Sequence, residues 1–129
     1  MSGKADPREL LQRYSGNPIL RPRDLPEMVN AVLNPGATVI DGRTLLLLRV
    51  EHRTGLPSLV AATSQDGLTH WEIDPVAGLK PQEGFEEHWG IEDPRITRVS
   101  DEYFVVYVGY SPAGPVSYTH LTLPTKRIV

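Results

Sequence analysis

Two stretches of the chain repeat the same order of strands and turns, and this repeat limits the fold more than any other feature. Asn34-Pro35 in the first stretch corresponds to Asp93-Pro94 in the second, which gives a period of 59 residues. The turn at Asp41-Gly42 corresponds to the turn at Ser100-Asp101. Further matches follow in the same order: residues 45–49 with 104–108, and residues 55–57 with 113–115. Repeated units of this length, rich in short strands, are typical of propeller blades, which bury their faces only against neighbouring blades.

The first unit has the pattern of a four-stranded meander. Asp41-Gly42 is a strong signal for a tight hairpin, and Gly67 follows Asp66 in a second turn sequence. Strands are predicted at residues 38–40, 44–51, 58–63 and 70–73. With 11 glycines and 12 prolines the chain is densely punctuated, which favours short strands over long helices. We therefore predict an all-β fold made of propeller blades.

A lead-in precedes the first blade. Asp6 can cap a helix, Pro7 suits its first position and Gly16 can end it, so a short helix is predicted over residues 6–14. The predicted organisation is a lead-in over residues 1–30, the first blade with its connecting loop over 31–92, and the start of a second blade over 93–115.

The last residues, 116–129, read VSYTHLTLPTKRIV and resemble the translation of sequencing-adapter or cloning DNA. We therefore expect a non-native tail there, although residues 116–123 also have the composition of a genuine strand. A propeller ring needs roughly four or more blades to close. We expect the 129 residues to be the first part of a larger protein, and inactive by themselves.

Composition excludes several classes of function. The net charge is −3 and the cationic residues are scattered, so no nucleic-acid partner is predicted. The longest apolar stretch, residues 45–48, is too short to span a membrane. The chain has no cysteine, which excludes disulfides and favours a cytoplasmic location. Its four histidines lack metal-ligand spacing, so no metal site is predicted.

A family resemblance comes from five motifs in order over residues 15–115. They are Asn17-Pro18-Ile19-Leu20, Asn34-Pro35-Gly36-Ala37, Leu48-Arg49-Val50-Glu51, Ser64-Gln65-Asp66-Gly67 and Glu92-Asp93-Pro94-Arg95. Together they resemble the N-terminal part of glycoside hydrolase family 130, the β-mannoside phosphorylases and related hydrolases. The resemblance implies a five-bladed β-propeller, of which this chain supplies the first blade and an incomplete second one.

The resemblance also implies a reaction. Phosphate, or water in some members, attacks the anomeric carbon of a β-mannoside with inversion while an aspartate donates a proton. Asp93 matches that donor, and Asn34 and Arg49 match positions that bind the mannose. Glu92, Trp89 and Arg95 complete the predicted substrate-binding set. The implied partner is a β-mannoside oligosaccharide, with inorganic phosphate as co-substrate of a phosphorylase, no cofactor, and a full-length parent that can form a homo-oligomer.

These residue types suit the chemistry. A glycosidic oxygen leaves more easily when a carboxylic acid protonates it, and burial or a nearby negative charge keeps a carboxyl group protonated. Glu92 adjoins Asp93, but neighbours on a strand point to opposite faces, so its influence is open. Arg49 ends a buried apolar run, where a charge requires a partner such as Asp93 or sugar hydroxyls.

Each residue also has a purely structural interpretation. Asp93-Pro94 can be a turn that opens a strand, and Asn34-Pro35 can be a loop. Arg49 can be a structural ion-pair partner of Glu51 or Glu92. Trp89 suits sugar stacking and core packing equally. Arg95 is expected to brace its loop through a salt bridge, with contact to phosphate as the second interpretation.

Two other functions remain open at this point. One is a furanosidase or arabinanase of other five-bladed propeller families, which place an aspartate where this chain has Asn34. The other is a carbohydrate-binding module without catalysis.

Overall fold

The protein folds into two antiparallel β-sheets. The structure is a computed structural model that describes residues 10–81 and 89–124, with the backbone alone for residues 116–124. The first sheet contains β1 (Val29–Ile40), β2 (Arg43–His52), β3 (Pro57–Ser64) and β4 (Glu72–Leu79) in that order. The second contains β5 (Ile91–Val99), β6 (Glu102–Ser111) and β7 (Gly114–Pro124) in that order. The predicted all-β class and the four-stranded meander of the first unit are confirmed.

The two sheets repeat each other in backbone register. In β1, pairing with β2 is interrupted between Leu33 and Gly36, where one extra residue is accommodated. In β5, the same interruption in pairing with β6 falls between Glu92 and Arg95. Each interruption is a β-bulge that bends the strand, and each contains a member of the pair Asn34 and Asp93, which are 59 residues apart. The same interruption of strand pairing thus recurs after 59 residues, which confirms the predicted repeat period.

The tight hairpin of the first sheet has the predicted turn residues. Asp41 has φ 50° and Gly42 has φ 75°, as a two-residue turn between right-twisted strands requires. Ser100, at the matching position of the second sheet, has φ 55°. The first strand is longer than predicted, since β1 begins at Val29 and its pairing with β2 continues beyond the bulge.

The prediction of a fourth strand at residues 70–73 was wrong in its position. Asp66 accepts hydrogen bonds from the backbone N–H groups of Leu68 and Thr69 and from the Thr69 hydroxyl. These bonds hold the pKa of Asp66 well below its usual range, led by the one from the Thr69 side chain. His70 has φ 50°, which ends this turn. Strand geometry therefore starts only at Glu72.

The short N-terminal helix is absent from the part of its range that the structure describes. Residues 10–14 have no helical structure, and residues 6–9 lie outside the described residues. Leu10 and Leu11 are exposed, so a helix here would bury no apolar face, and short helices need such burial. A short 3-10 helix, Pro22–Asp24, lies later in the lead-in, where the Arg21 N–H donates to Asp24 Oδ2 at 2.7 Å.

The second sheet begins at Ile91, two positions before the predicted start of the second unit. Residues 116–124 belong to β7, which pairs with β6 along its length. The structure thus contains the strand that was the alternative interpretation of this segment. The origin of residues 116–129 in non-native DNA stays a prediction.

Strand β2 is buried on both faces, which explains its continuous apolar sequence. Leu46, Leu48 and Val50 pack on one side against the lead-in residues Ile19, Leu20 and Leu25. Leu45 and Leu47 pack on the other side against the second sheet, which contributes Ile91, Tyr103, Val105 and Tyr107. Arg49 lies on the same face of β2 as Leu45 and Leu47, because side chains two positions apart in a strand point the same way. The strand therefore directs Arg49 toward the second sheet.

The first strands of the two sheets approach each other closely. A side chain at Gly36 in β1 would place its Cβ 3.0 Å from the carbonyl oxygen of Pro94 in β5. The Tyr103 hydroxyl donates to the Val39 carbonyl at 3.0 Å, which adds a hydrogen bond between the sheets. This packing brings the two bulges together.

Candidate active site

The two bulges place an amide and a carboxylate side by side. Asn34 Nδ2 donates a hydrogen bond to Asp93 Oδ1 at 2.7 Å. Asn34 lies in the bulge of β1 and Asp93 in the bulge of β5, so the pair joins the two sheets at equivalent positions. A bulge re-aims a side chain out of the regular alternation of a strand, which is why both polar groups reach the junction.

Arg49 binds the two carboxylates that follow each other in β5. Its Nη2 lies 2.5 Å from Glu92 Oε2, and its Nη1 lies 3.2 Å from Asp93 Oδ1. The planar guanidinium group presents its donors as a rigid fork, which suits such a double contact. The structure therefore pairs Arg49 with Glu92, one of the predicted alternatives, and with Asp93, whereas Glu51 forms no ion pair with it.

Glu92 and Asp93 reach the same cation although they are sequence neighbours. Regular strand geometry would send them to opposite faces. Asp93 has φ 53°, a left-handed conformation that aspartate tolerates better than most residues. The bulge at this position removes the alternation, so the two carboxylates share Arg49.

The site is partly buried, and its members differ in accessibility. The side chains of Arg49 and Glu92 are each 23% exposed, whereas that of Asp93 is 44% exposed. Both hydrogen bonds of Asp93 use Oδ1, and none of the side chains that the structure describes bonds to its Oδ2. Among the described residues, Asp93 therefore has one carboxylate oxygen without a partner, while the less exposed Glu92 forms an ion pair with Arg49.

Trp89 lies beside the cluster and is not a core residue. It is 48% exposed, and its ring contacts that of Tyr110 with centroids 5.7 Å apart and planes at 33°. The core-packing interpretation of Trp89 was therefore wrong. Tyr110 was not among the predicted residues. In β6 the odd-numbered positions from Tyr103 to Ser111 are buried and the even-numbered ones are more exposed, so the alternation that places Tyr110 on the exposed face was the available signal.

Arg95 is exposed, and within the part of the chain that the structure describes it has no ion pair. The salt bridge predicted for it is not found there. Contact of Arg95 with phosphate stays a prediction.

Within the described residues, no three histidine or acidic side chains are grouped closely enough to hold a metal ion. No helix in that part of the chain has the length and apolarity to cross a membrane.

Two repeated antiparallel sheets that meet at equivalent bulges define the class, an all-β protein built from propeller-type repeats. The structure is similar to that of β-1,2-mannobiose phosphorylase from Listeria innocua, solved with β-1,2-mannobiose, with a TM-score of 0.74 at 21% identity. The match covers 89% of this chain and 48% of that one. The similarity supports the fold.

The sequence comparison identifies the family. The family model for glycoside hydrolase family 130, described as β-1,4-mannooligosaccharide phosphorylase, matches residues 5–126, so the chain belongs to this family. It is 30% identical over 126 residues to the β-1,4-mannooligosaccharide phosphorylase of Ruminococcus albus, and 30% identical over 116 residues to the β-1,2-mannobiose phosphorylase of a Thermoanaerobacter species. These matches cover 89% and 78% of this chain but 37% of each relative.

Proposed function

We propose that the complete protein is an inverting β-mannoside phosphorylase and that the cluster around Asp93 forms the proton-donating side of its active site. The two sheets would be the first two blades of a five-bladed ring. Membership of family 130 and two phosphorylases among its relatives support the reaction class. The reaction would need no cofactor, and inorganic phosphate would be the second substrate.

One observation carries the proposal: among the described residues, Asp93 has hydrogen-bond partners at one carboxylate oxygen and none at the other. Asn34 and Arg49 both bond to Oδ1. A general acid works best when its carboxyl group is held rigidly and one oxygen can reach the leaving atom. A carboxylate that served only to join the sheets would gain from further partners for its second oxygen. In the described residues Oδ2 has none, although the side chain is 44% exposed.

In the proposed step a phosphate oxygen attacks the anomeric carbon of the mannoside from the face opposite the leaving group. The bond between that carbon and the glycosidic oxygen breaks as Asp93 transfers its proton to the oxygen. The products are mannose 1-phosphate with inverted configuration and a free acceptor sugar. Inversion needs the attacking group and the acid on opposite sides of the sugar ring, so the phosphate site would lie across the ring from Asp93.

Arg49 gives this site a way to position the acid. Its Nη1 lies 3.2 Å from Asp93 Oδ1, and its Nη2 lies at the shorter distance of 2.5 Å from Glu92 Oε2. A mannose hydroxyl that accepts a hydrogen bond from Nη1 would take the place of Asp93 there. Substrate binding and the position of the acid would then be coupled.

The role of Asn34 counts against the furanosidase alternative. Those enzymes place an aspartate at the matching position, and two facing carboxylates would repel each other. Here the amide donates to Asp93 at 2.7 Å, which an ionised aspartate cannot do. The site is therefore better suited to one acid residue supported by a neutral donor.

The test is an assay on the protein expressed from its complete natural reading frame. We expect mannose 1-phosphate to form from β-1,4- or β-1,2-mannobiose when inorganic phosphate is present. Equal release of free mannose without phosphate would indicate a hydrolase and reject the phosphorylase assignment. Arabinofuranosides are the matched negative substrates. Turnover of these alone, or binding of mannobiose without turnover of any substrate, would reject the proposal.

A further inference from the structure

We propose that His52 is a positioning residue, which fixes the β2–β3 loop and, through that loop, the start of the strand that carries Asp93. The inference rests on the proposed function, because it concerns the placement of the proposed acid. His52 is the last residue of β2, and residues 53–56 connect it to β3. It contacts none of the groups assigned to the reaction, so any effect on turnover must pass through the structure between them.

The imidazole ring of His52 joins the two ends of the loop. Its Nε2 lies 2.6 Å from the Oγ of Ser58, and Ser58 is 4% exposed. A hydroxyl group both donates and accepts hydrogen bonds, so either tautomer of a neutral ring can form this bond. Loss of the ring would leave a buried hydroxyl without this partner, which is costly. The bond therefore ties the end of β2 to the start of β3.

The backbone of His52 organises the same loop. The Gly55 N–H donates to the His52 carbonyl at 2.8 Å, and the His52 N–H donates to the Leu56 carbonyl at 3.3 Å. Asn30 Nδ2, in β1, also donates to the His52 carbonyl, at 3.2 Å. Residues 53–56 themselves are exposed. Exposed loops with few packed contacts open easily, so the position of this loop depends on such anchors.

The contact of His52 with the lead-in is weaker than its contact with Ser58. The Nδ1 of His52 lies 3.6 Å from Glu27 Oε2, and the Glu27 side chain is 60% exposed. This distance is longer than a hydrogen bond, and exposed ion pairs contribute little because water screens them. The positioning role therefore belongs to the bond with Ser58 and not to the contact with Glu27.

The loop packs directly against the start of β5. Pro57 is buried at the beginning of β3, and a Cβ on Gly90 would lie 2.3 Å from Pro57 Cδ. Gly90 lies immediately before β5, and Asp93 is in the bulge that follows. Closely packed groups transmit displacements, so a shift of Pro57 moves Gly90 and the strand behind it. A misplacement of about 1 Å can cost about 10²-fold in rate. His52 is thus connected to the acid through packed residues.

The test measures phosphorolysis of mannobiose by variants of the complete protein. We expect His52→Ala to lower kcat about tenfold and to change the KM for mannobiose by less than about twofold, because the acid is displaced while the groups that bind substrate remain. His52→Gln places an amide near the position of Nε2, where it can still bond to Ser58, so it should restore kcat to within about threefold of the original. His52→Asn places its amide near Nδ1, too far from Ser58, and should not restore kcat.

The control is His70→Asn, which removes an exposed histidine from a turn outside the site. His70 has φ 50°, a conformation that asparagine tolerates, and the variant should keep the original kcat. An unchanged kcat in His52→Ala, or equal losses in His52→Gln and His52→Asn, would overturn the inference.

Hydrogen–deuterium exchange separates failure of this inference from failure of the proposed function, because it needs no turnover. His52→Ala should speed exchange about threefold or more in residues 53–58 and in residues 89–92, and should leave the hairpin at residues 40–43 unchanged, which shows that the fold is intact. Faster exchange in both segments would support the connection from His52 to β5 even if the complete protein had no phosphorylase activity. Faster exchange in residues 53–58 alone, with kcat unchanged, would retain the proposed function and overturn the positioning role.

Discussion

Asn34 and Asp93 occupy equivalent positions in two repeated sheets, 59 residues apart, and their side chains are hydrogen-bonded at 2.7 Å. The repeat thus does more than build two similar blades. Equivalent bulges meet at the junction of the sheets, and different residue types there produce a donor and an acceptor. Two copies of the same strand arrangement thus form one polar site, in which a residue of one copy donates a hydrogen bond to a residue of the other.

Replacing Asp93 by asparagine tests its role as proton donor. Asparagine tolerates the φ of 53° found here, so the fold should be preserved. General acids contribute about 10²–10⁴-fold to rate, and we expect a loss of that size in the turnover of mannobiose with binding retained. Glu92→Gln, which removes a charge from the neighbouring position, should cost much less. Unchanged turnover in Asp93→Asn would show that another group donates the proton.

Arg49 and Glu92 should be energetically coupled, because the loss of one leaves the charge of the other partly buried. Each side chain is 23% exposed, and their charged atoms are 2.5 Å apart. Arg49→Met should reduce the free energy of unfolding by about 1–2 kcal/mol, a value discounted for solvent screening. The double variant Arg49→Met with Glu92→Gln should recover part of this loss.

The matched control for that coupling is the pair Arg43 and Glu72, 3.0 Å apart with side chains 36% and 74% exposed. Its coupling energy from the same double-mutant cycle should be smaller, at about 0–1 kcal/mol. Urea unfolding of the four variants in each cycle provides the measurement. Equal coupling in the two pairs would contradict the importance of burial at Arg49.

Local sequence chemistry predicted the parts of the fold that depend on neighbouring residues. Asp41-Gly42 encodes a two-residue turn, and the apolar run of β2 requires burial on both faces. The bulge at Asp93 was not predicted, because strand alternation was assumed there. The contact of Trp89 with Tyr110 depends on the pairing of Ile91 with Gly109, which brings distant segments together. Long-range pairing of this kind has no local signal in a single sequence.

Gly36 should be intolerant of a side chain because it lies where the two sheets meet. A Cβ there would approach the Pro94 carbonyl oxygen at 3.0 Å and the Ile96 Cγ1 at 3.1 Å. We expect Gly36→Ala to reduce stability by about 1–3 kcal/mol, as overpacking does, and to reduce turnover by displacing Asn34 from Asp93. Gly42→Ala is the control, since its Cβ would meet nothing within 4 Å and its cost comes from φ alone. Equal loss of turnover in both variants would contradict a specific role for the sheet junction.

The turn around Asp66 should give stability a dependence on acid pH. Hydrogen bonds from the Thr69 side chain, and from the backbone N–H groups of Thr69 and Leu68, lower the pKa of Asp66 from its ordinary value of 3.8. A carboxyl group with a lowered pKa in the folded state stabilises that state above its unfolded pKa, and this stabilisation disappears as pH falls toward the folded value. The protein should therefore exceed Asp66→Asn in thermal midpoint at pH 7, and the difference should shrink as pH falls below about 4. Thr69→Val removes the largest cause of the shift without changing the charge, so it should weaken this dependence only in part. A difference in midpoint that stays constant from neutral to acid pH would show that the ionised form of Asp66 does not stabilise the turn.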